Sequence, residues 1–344
     1  SGGEGKTFTR PEITMTAQPD PDLPRFRPRP PWLTGDLQTL RNFLLRPRID
    51  LRPWPGERLW LPVSGGDQLA ASLHARDRLG ERALVVLIHG LSGCEESTYV
   101  RASARFWLSL GHPVLRLNLR GSQPSRPRCR GHYHGGRSED PHAALDALVS
   151  RERAAARQGL ILVGYSLGGN VLVKLLAEAG REVPVRAAAS VSAPIDLAAT
   201  SERFHAPRNR LYQRWLLTLL KREATAAPAE LSARERAAIR GARTVRAFDD
   251  RFIAPRFGFA SAADYYAQSS GLQFLPEVAV PLVAVHADDD PWIPNDAYAR
   301  AARIANPNLR IHLTGGGGHV GFHASGDPQP WHDRAIHAFV QEVG

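Results

Sequence analysis

The chain has 344 residues, of which 43% are hydrophobic and 23% charged, and its formal net charge at neutral pH is +10. This balance predicts a globular protein with a sizeable core, built as one large domain or as a core domain with an insertion. The positive charge comes almost entirely from scattered arginines, and no nucleic-acid recognition module is visible. Nucleic-acid binding is therefore not expected as the main role.

The sequence carries no signal for secretion or for a membrane span. It has no run of about 18 apolar residues, and its first residues lack the apolar centre of a signal peptide. Two cysteines, Cys94 and Cys129, are too few for a disulfide framework and favour a reducing, cytoplasmic compartment. Met15 is a candidate natural start, and residues 1–24 are expected to be a polar, disordered lead-in.

From about Leu59 onward, short β-rich runs alternate with helical patterns. The runs RLWLPV and QLAASLHA predict an antiparallel opening pair. ALVVLIHG is a continuous apolar run of the kind found in strands buried on both faces, and GLILVGYS is another buried strand. The further predicted strands are PVLRLNLRG, VRAAASVSAP, PLVAVHA and NLRIHL. The predicted helices are Tyr99–Leu110, the segment SEDPHAALDALVSRER capped by Ser138, Leu167–Ala179, and Trp331–Val343. This alternation predicts an α/β fold with a mostly parallel central sheet covered by helices on both faces, formed by residues 25–196 and 276–344.

Residues 197–275 interrupt this alternation, because their pattern is helical and contains no obvious strand. We interpret them as a helical cap inserted over the functional edge of the sheet. An independent helical domain is the alternative, but sheet elements resume afterwards. The cap carries an apolar set at helical spacing: Leu211, Trp215, Leu216, Leu219 and Leu220. Packing of this set on the core is the simplest explanation. Contact with a membrane surface and lining of an acyl pocket are the alternatives.

The strongest chemical motif is Gly164-Tyr165-Ser166-Leu167-Gly168, which lies between a predicted buried strand and a predicted helix. This context is typical of a nucleophile elbow, where a serine stands on a sharp turn above the sheet. The residues two before and two after the serine must be small, because strand and helix nearly touch there. Gly164 and Gly168 meet this requirement, so Ser166 is the candidate nucleophile.

A serine needs a base and an orienting acid, and in this class of sheet their order along the chain is serine, acid, histidine. His319 follows the last predicted strand and four glycines, Gly315–Gly318, which give room for unusual dihedral angles. His286 and His312 lie within strands and are interpreted as packed core residues, and His323 lies past the loop. The acid is expected in the triplet that follows the strand PLVAVHA. Strand alternation would direct Asp288 and Asp290 to one side and Asp289 to the other, and by itself does not decide between 288 and 290.

Two backbone N–H groups are expected to form an oxyanion hole. One belongs to Leu167, directly after the serine, and the other to Leu91, in the loop His89-Gly90-Leu91-Ser92-Gly93. His89 is interpreted as a structural residue of this loop, and the neighbouring Cys94 as a small buried thiol.

No metal or organic cofactor is expected. The cluster Arg130-Gly-His132-Tyr-His134 raises the possibility of a metal site, but no recognisable ligand spacing surrounds it.

Several ordered motifs resemble one known family. They are PPWLTGDLQTL (30–40), HGLSGCEESTYV (89–100), NLRG (118–121), GYSLGGN (164–170), FDDRFIAPRFGFASAADYY (248–266), ADDDPWIP (287–294) and GGHVGF (317–322). From about residue 30 onward, the chain resembles the YheT-like branch of the α/β-hydrolase superfamily, which is related to mammalian abhydrolase-domain lipases.

The resemblance implies a serine hydrolase that acts on carboxylic esters, with Ser166 as nucleophile, His319 as base and Asp290 as acid. The D-P-x-x-P pattern selects Asp290, with Asp289 the main rival. One departure is that Ser-Gln-Pro follows Arg120-Gly121 where relatives more often have Cys-Ser-Gly, and this affects the expected substrate preference. Three alternatives remain: acyl transfer on the same triad, lipase- or phospholipase-type activity, and a non-catalytic lipid or ligand carrier. A small-molecule ester or lipid-like compound is the expected substrate.

Overall fold

The computed structural model describes residues 25–343. The expected disordered lead-in, residues 1–24, lies outside the described residues.

Eight strands form one sheet, in the spatial order β1-β2-β4-β3-β5-β6-β7-β8. The strands are β1 (Gly56–Pro62), β2 (Gln68–His74), β3 (Leu84–Ile88), β4 (Val114–Leu117), β5 (Leu160–Tyr165), β6 (Val185–Val191), β7 (Leu282–Ala287) and β8 (Leu309–Thr314). Only β2 runs antiparallel to its neighbours, and every other pairing in the sheet is parallel. The predicted opening pair and the mostly parallel sheet are both confirmed.

Helices cover both faces of this sheet and also form the connection between β6 and β7. The helices are α1 (Gly35–Leu45), α2 (Thr98–Ser109), α3 (Glu139–Arg151), α4 (Leu167–Ala179), α5 (Leu197–His205), α6 (Arg210–Ala224), α7 (Ala233–Gly241), α8 (Val245–Phe248), α9 (Ala254–Arg256), α10 (Ala262–Ser269), α11 (Asp296–Ala301) and α12 (Trp331–Val343). A single π-helical turn, Asp249–Ile253, joins α8 to α9.

The core has two layers because side chains alternate along each strand. In β3, Val85 and Leu87 pack on one face with Trp107 of α2 and Trp331 of α12. The intervening residues of β3 pack on the other face, in one cluster with buried residues of α3, α4 and the segment 197–275. All five residues of β3 are buried, which explains why the strand is a continuous apolar run.

Ser138 precedes α3, but the prediction that it caps this helix is wrong. Its backbone is already helical, with φ −75° and ψ −27°, whereas a capping residue needs an extended backbone to aim its side chain at the first N–H groups. The Ser138 hydroxyl instead donates to a carboxylate oxygen of Glu178 on α4. Ser138 therefore joins two helices.

Residues 197–275 contain helices and turns and no strand, as predicted. This segment leaves the sheet after β6 and returns to it at β7, the adjacent strand. Its two ends also contact each other: the N–H of Leu272 donates to the carbonyl of Ile195 over 2.9 Å, and the N–H of Leu197 donates to the Ser270 hydroxyl over 3.0 Å. The segment thus has the form of an insertion with a closed base.

Candidate active site

Ser166 occupies a strained turn between β5 and α4. Its φ of 50° and ψ of −124° lie in a region that non-glycine residues rarely adopt. The N–H of Ser166 donates to the carbonyl of Val191 over 2.8 Å, which holds the turn against β6. A Cβ added to Gly168 would lie 2.3 Å from the carbonyl oxygen of His89, and one added to Gly164 would lie 2.5 Å from that of Gly168. The expected need for small residues on both sides of the serine is confirmed.

Ser166, His319 and Asp290 form a continuous hydrogen-bonded chain. The Ser166 Oγ and His319 Nε2 atoms are 2.9 Å apart, and the His319 Nδ1 and Asp290 Oδ2 atoms are also 2.9 Å apart. A carboxylate can only accept, so Nδ1–H donates to Asp290 and leaves Nε2 to accept from the serine hydroxyl. This tautomer is the one that a histidine needs in order to remove a proton from serine.

The three consecutive aspartates have different surroundings. β7 ends at Ala287, and a turn closed by the N–H of Asp290 and the carbonyl of Ala287 follows, so strand alternation does not continue into the triplet. Asp288 is exposed, whereas Asp289 accepts from the N–H of Gly318 over 2.8 Å. Only Asp290 reaches the imidazole of His319.

Asp290 is buried and well supplied with donors. Its Oδ1 accepts from the N–H groups of Trp292 at 2.8 Å and Ile293 at 3.0 Å. Burial alone raises the pKa of a carboxyl, but the charge of His319 and its hydrogen bond outweigh burial here, and the pKa of Asp290 lies below its usual value. Asp290 is therefore suited to remain ionised beside the imidazole.

The histidine loop is held from two sides. The N–H of His319 donates to the Thr39 hydroxyl over 2.8 Å, and the ring of Trp292 packs on the imidazole with centroids 4.4 Å apart. Gly317 and Gly318 have φ values of 134° and 59°, and a Cβ on Gly318 would lie 2.3 Å from the Gly35 carbonyl oxygen. An added Cβ on Gly315 meets nothing within 4 Å, so the requirement for glycine is restricted to part of the run.

Leu91 and Leu167, the residues expected to supply the two oxyanion-hole N–H groups, both line the cavity that contains Ser166. Leu167 is the first residue of α4, so its N–H has no acceptor within the helix. Leu91 follows Gly90, where an added Cβ would lie 2.8 Å from the Cβ of Ser166. Both leucines line the same cavity as Ser166 and His319.

The loop that carries Leu91 is fixed by hydrogen bonds. His89 is fully buried; its Nε2 accepts from the N–H of Leu119, so its Nδ1–H donates to the Gly90 carbonyl over 2.7 Å. The N–H of Ser92 donates to the Tyr133 hydroxyl oxygen over 2.7 Å, and the Ser92 hydroxyl donates to Glu223 of the cap over 3.2 Å. These contacts agree with the structural interpretation of His89.

A cavity of about 380 Å³ opens beside Ser166, between the core and residues 197–275. Its walls are mainly apolar and aromatic, and many of them come from the inserted helices: Leu197, Phe204, Trp215, Leu216, Leu219, Leu220, Phe248, Phe252, Ile253, Tyr265 and Tyr266. The predicted apolar set of α6 is therefore divided. Leu216, Leu219 and Leu220 line the cavity with Trp215, whereas Leu211 is exposed to solvent.

Comparison with known proteins identifies the family. Residues 83–324 match the sequence pattern of the α/β hydrolase fold. The chain belongs to the α/β-hydrolase family. The hydrolase is 35% identical over 311 residues to YheT of Escherichia coli, covering 87% of this chain and 88% of that protein. It is 27% identical over 311 residues to Phospholipase ABHD3 of Bos taurus, covering 87% of this chain and 75% of that protein.

Solved structures agree with this assignment of the fold. The esterase Pf2001 of Pyrococcus furiosus superimposes with a TM-score of 0.57 at 15% sequence identity, covering 85% of this chain and 92% of that one. The family and its YheT-like branch were thus correctly predicted from the motifs, and the hydrolase is of the esterase and lipase type.

Sequence reasoning missed two carboxyl groups inside the cavity of this hydrolase. Burial raises the pKa of Glu223 and that of Asp249 to about 7. Glu223 accepts from Ser92 and Tyr133, and Asp249 accepts from the Tyr266 hydroxyl over 2.7 Å. Both residues lie in polar helical stretches of the cap, where nothing in the local pattern separates a buried acid from an exposed one.

The remaining histidines and cysteines have other surroundings. His286 is buried and stacks on Tyr298 with ring centroids 4.0 Å apart, whereas His312 is only half-buried, so its assignment to the packed core is corrected. The outer position of His312 follows from β8 being the last strand of the sheet.

Cys94 is half-buried rather than buried, because it lies in the loop after β3. His132 and His134 pack on aromatic rings, and within residues 25–343 no group of three His, Cys, Asp or Glu side chains could hold a metal ion.

Proposed function

We propose that this α/β hydrolase is a serine carboxylesterase that cleaves carboxylic esters through an acyl-enzyme intermediate. The observation that carries the proposal is the hydrogen-bonded chain from Asp290 through His319 to Ser166, which ends at an apolar cavity. Its family membership and the names of its relatives support the same reaction class.

In the acylation step, Ser166 Oγ attacks the ester carbonyl carbon while its proton passes to His319 Nε2. The new C–O bond forms as the carbonyl π electrons move to oxygen and give a tetrahedral oxyanion. His319 then returns the proton to the departing alkoxide oxygen, the C–O bond to the alcohol breaks, and the acyl group remains on Ser166. Asp290 keeps the imidazole in the required tautomer and stabilises the imidazolium.

In the deacylation step, His319 takes a proton from water as the water oxygen attacks the acyl-enzyme. The second tetrahedral oxyanion collapses, His319 returns the proton to Ser166 Oγ, and the carboxylic acid leaves. In both steps the N–H groups of Leu91 and Leu167 donate to the oxyanion. Donors fixed in advance need no reorganisation when the charge forms, and removal of one such donor in other enzymes costs about 10²–10³ in turnover.

The composition of the cavity supports an ester with a substantial apolar part. We assign residues 197–275 to a cap and the other described residues to the core, and residues 197–275 provide most of the apolar walls of the cavity. Transfer of apolar surface from water into such a cavity is favourable by about 25 cal/mol per Å². We therefore assign the acyl chain of the substrate to the wall formed by α6 and the π-helical turn.

The deciding experiment is hydrolysis of p-nitrophenyl esters of increasing acyl length by the wild type and by Ser166→Ala, together with labelling by a fluorophosphonate. We expect hydrolysis and labelling of the wild type and neither with Ser166→Ala. A wild type that is folded but neither hydrolyses any ester in the series nor reacts with the fluorophosphonate would contradict the proposal.

A further inference from the structure

All the large hydrophobic side chains that the described residues leave exposed belong to α1, to the loop just before it or to α6, and we call the surface of these two neighbouring helices the α1–α6 face. Its apolar members are Leu33, Leu37, Phe43, Leu44, Leu45, Leu211 and Trp215. Leu211 is 81% exposed and Leu44 is 64% exposed. Single exposed apolar residues need no explanation, but a concentration of them on one face marks an interaction site.

Contacts between the two helices join these residues into one surface. The rings of Phe43 on α1 and Trp215 on α6 meet edge to face, with centroids 5.0 Å apart. Near the beginning of both helices, the Tyr212 hydroxyl donates to Asp36 over 3.0 Å. The helices therefore lie side by side, and Leu44, Leu45 and Leu211 extend the surface from the Phe43–Trp215 contact.

The α1–α6 face also borders the cavity. Phe43 and Trp215 are partly exposed, and both line the cavity that holds Ser166. The face and the cavity therefore share these two side chains.

Positive charge borders this face. Arg46 and Arg48 follow α1, while Arg210 and Arg214 stand next to Leu211 and Trp215 on α6. All four side chains are exposed, and none of them forms an ion pair with a residue of the described part of the chain.

The acidic residue on α1 does not offset these arginines. Asp36 is already paired with Arg208, at 2.6 Å. The face therefore has an apolar centre and, at its edge, arginines that form no ion pair within residues 25–343.

We propose that the α1–α6 face binds the surface of an anionic lipid bilayer. Leucine and aromatic side chains enter the boundary between headgroups and acyl chains, while arginines remain at the level of the negatively charged headgroups. A second copy of the same chain fits this face less well, because a twofold interface would bring the arginines of one copy close to those of the other.

This proposal does not require the hydrolytic activity, because binding to vesicles is measured without turnover. If combined with the proposed function, it identifies the substrate class as an ester held in a lipid layer. Such a substrate would pass from the bilayer into the cavity along the Phe43–Trp215 pair, which borders both.

The test is flotation of the full chain with vesicles of phosphatidylcholine alone and of phosphatidylcholine with 30 mol% phosphatidylglycerol, at low and high salt. We expect binding to the anionic vesicles that weakens as salt screens the charges. Because one arginine near such a surface contributes about fivefold in partitioning, Arg46→Glu combined with Arg214→Glu should reduce binding by at least about twentyfold. Leu44→Asp combined with Leu211→Asp should reduce it by about tenfold or more.

The matched control is Arg153→Glu combined with Arg181→Glu. Both arginines are exposed and lie at the opposite edge of the sheet, and the two substitutions change the net charge by the same amount as Arg46→Glu with Arg214→Glu. This control should bind within about threefold of the wild type. Leu44 and Leu211 do not line the cavity, so their double variant should keep its thermal transition and its hydrolysis of a water-soluble ester. These two readouts separate loss of binding from loss of folding.

Five results would overturn the proposal. They are absence of binding to anionic vesicles, equal binding to neutral and anionic vesicles, and an equal loss of binding in the control variant. The fourth is a wild type that sediments as a dimer, does not bind vesicles and becomes monomeric in the leucine double variant, which would assign the face to a second copy. Vesicle binding that requires removal of residues 1–24 would likewise assign it to that segment.

Discussion

Asp289 accepts a hydrogen bond of 2.8 Å from the N–H of Gly318, one residue before the Asp290–His319 pair along both segments. The two neighbouring acids thus hold different parts of the same loop: Asp289 binds its backbone, and Asp290 binds the imidazole. This difference gives a direct test of which acid completes the proposed triad.

Asp290→Asn should reduce kcat by about 10⁴, because an amide favours the wrong imidazole tautomer and does not stabilise the imidazolium. Asp289→Asn should cost less than about tenfold, because its amide oxygen still accepts from Gly318. Steady-state hydrolysis of a p-nitrophenyl ester measures both variants. A larger loss with Asp289→Asn than with Asp290→Asn would transfer the acid role to residue 289.

Ser166→Ala and His319→Ala should each reduce kcat by on the order of 10⁶, since the members of a triad act as a unit. The double variant should therefore be about as impaired as either single variant. Ser92→Ala is the control, because Ser92 lies in the same cavity but its hydroxyl points to Glu223. Additive losses in the double variant would show that the two residues do not act together.

Gly168→Ala should lower the free energy of unfolding by about 1–3 kcal/mol or more. The added Cβ would lie 2.3 Å from the carbonyl oxygen of His89 and 2.7 Å from that of Ile88. Both atoms belong to backbone that cannot move without disturbing β3 or the loop after it. Gly241→Ala is the control, since an added Cβ there meets nothing within 4 Å. At this helical position it should be neutral or stabilising by up to about 1 kcal/mol. Urea denaturation measures both changes, and equal effects would contradict the close contact.

Asp249→Asn should stabilise the protein increasingly as pH rises. Burial raises the pKa of Asp249 from 3.8 to about 7, so between these values the folded state binds more protons than the unfolded state and stability falls with increasing pH. The variant lacks this loss, and its advantage over the wild type should grow by about 1.4 kcal/mol per pH unit between pH 5 and pH 7. Its amide oxygen can still accept from Tyr266.

Denaturant unfolding of the wild type and Asp249→Asn at several pH values measures this advantage. Asp146→Asn, at an exposed position, controls for removal of one negative charge. An advantage that stays constant from pH 5 to pH 8 would show that Asp249 is already ionised in the folded protein.

The sheet and the position of Ser166 could be predicted because their signals are local. Continuous apolar runs identified the buried strands, and the elbow requires Gly164 and Gly168 for reasons of space alone. The choice among Asp288, Asp289 and Asp290 could not be derived in this way, because a turn replaces the strand after Ala287. A resemblance between motifs, not the alternation argument, selected Asp290.

The features that sequence reasoning missed depend on contacts between distant segments. Glu223 is 131 residues from Ser92 along the chain, yet their side chains meet inside the cavity. The exposed leucines of α1 and α6 have the same local pattern as leucines that pack in a core. Their exposure depends on where the two helices meet, and the hydrophobic pattern of one helix does not show where it meets another.

The hydrogen bond between Ile195 and Leu272 closes the base of the cap, and Ser166, Asp290 and His319 all lie outside it. One contiguous length of chain therefore supplies much of the cavity wall, while the three residues of the proposed triad lie in the segments before and after it. This separation would make the proposed cap a transferable module. Exchange of residues 197–275 between relatives, joined at that hydrogen bond, would transplant substrate preference and leave the reaction chemistry in place.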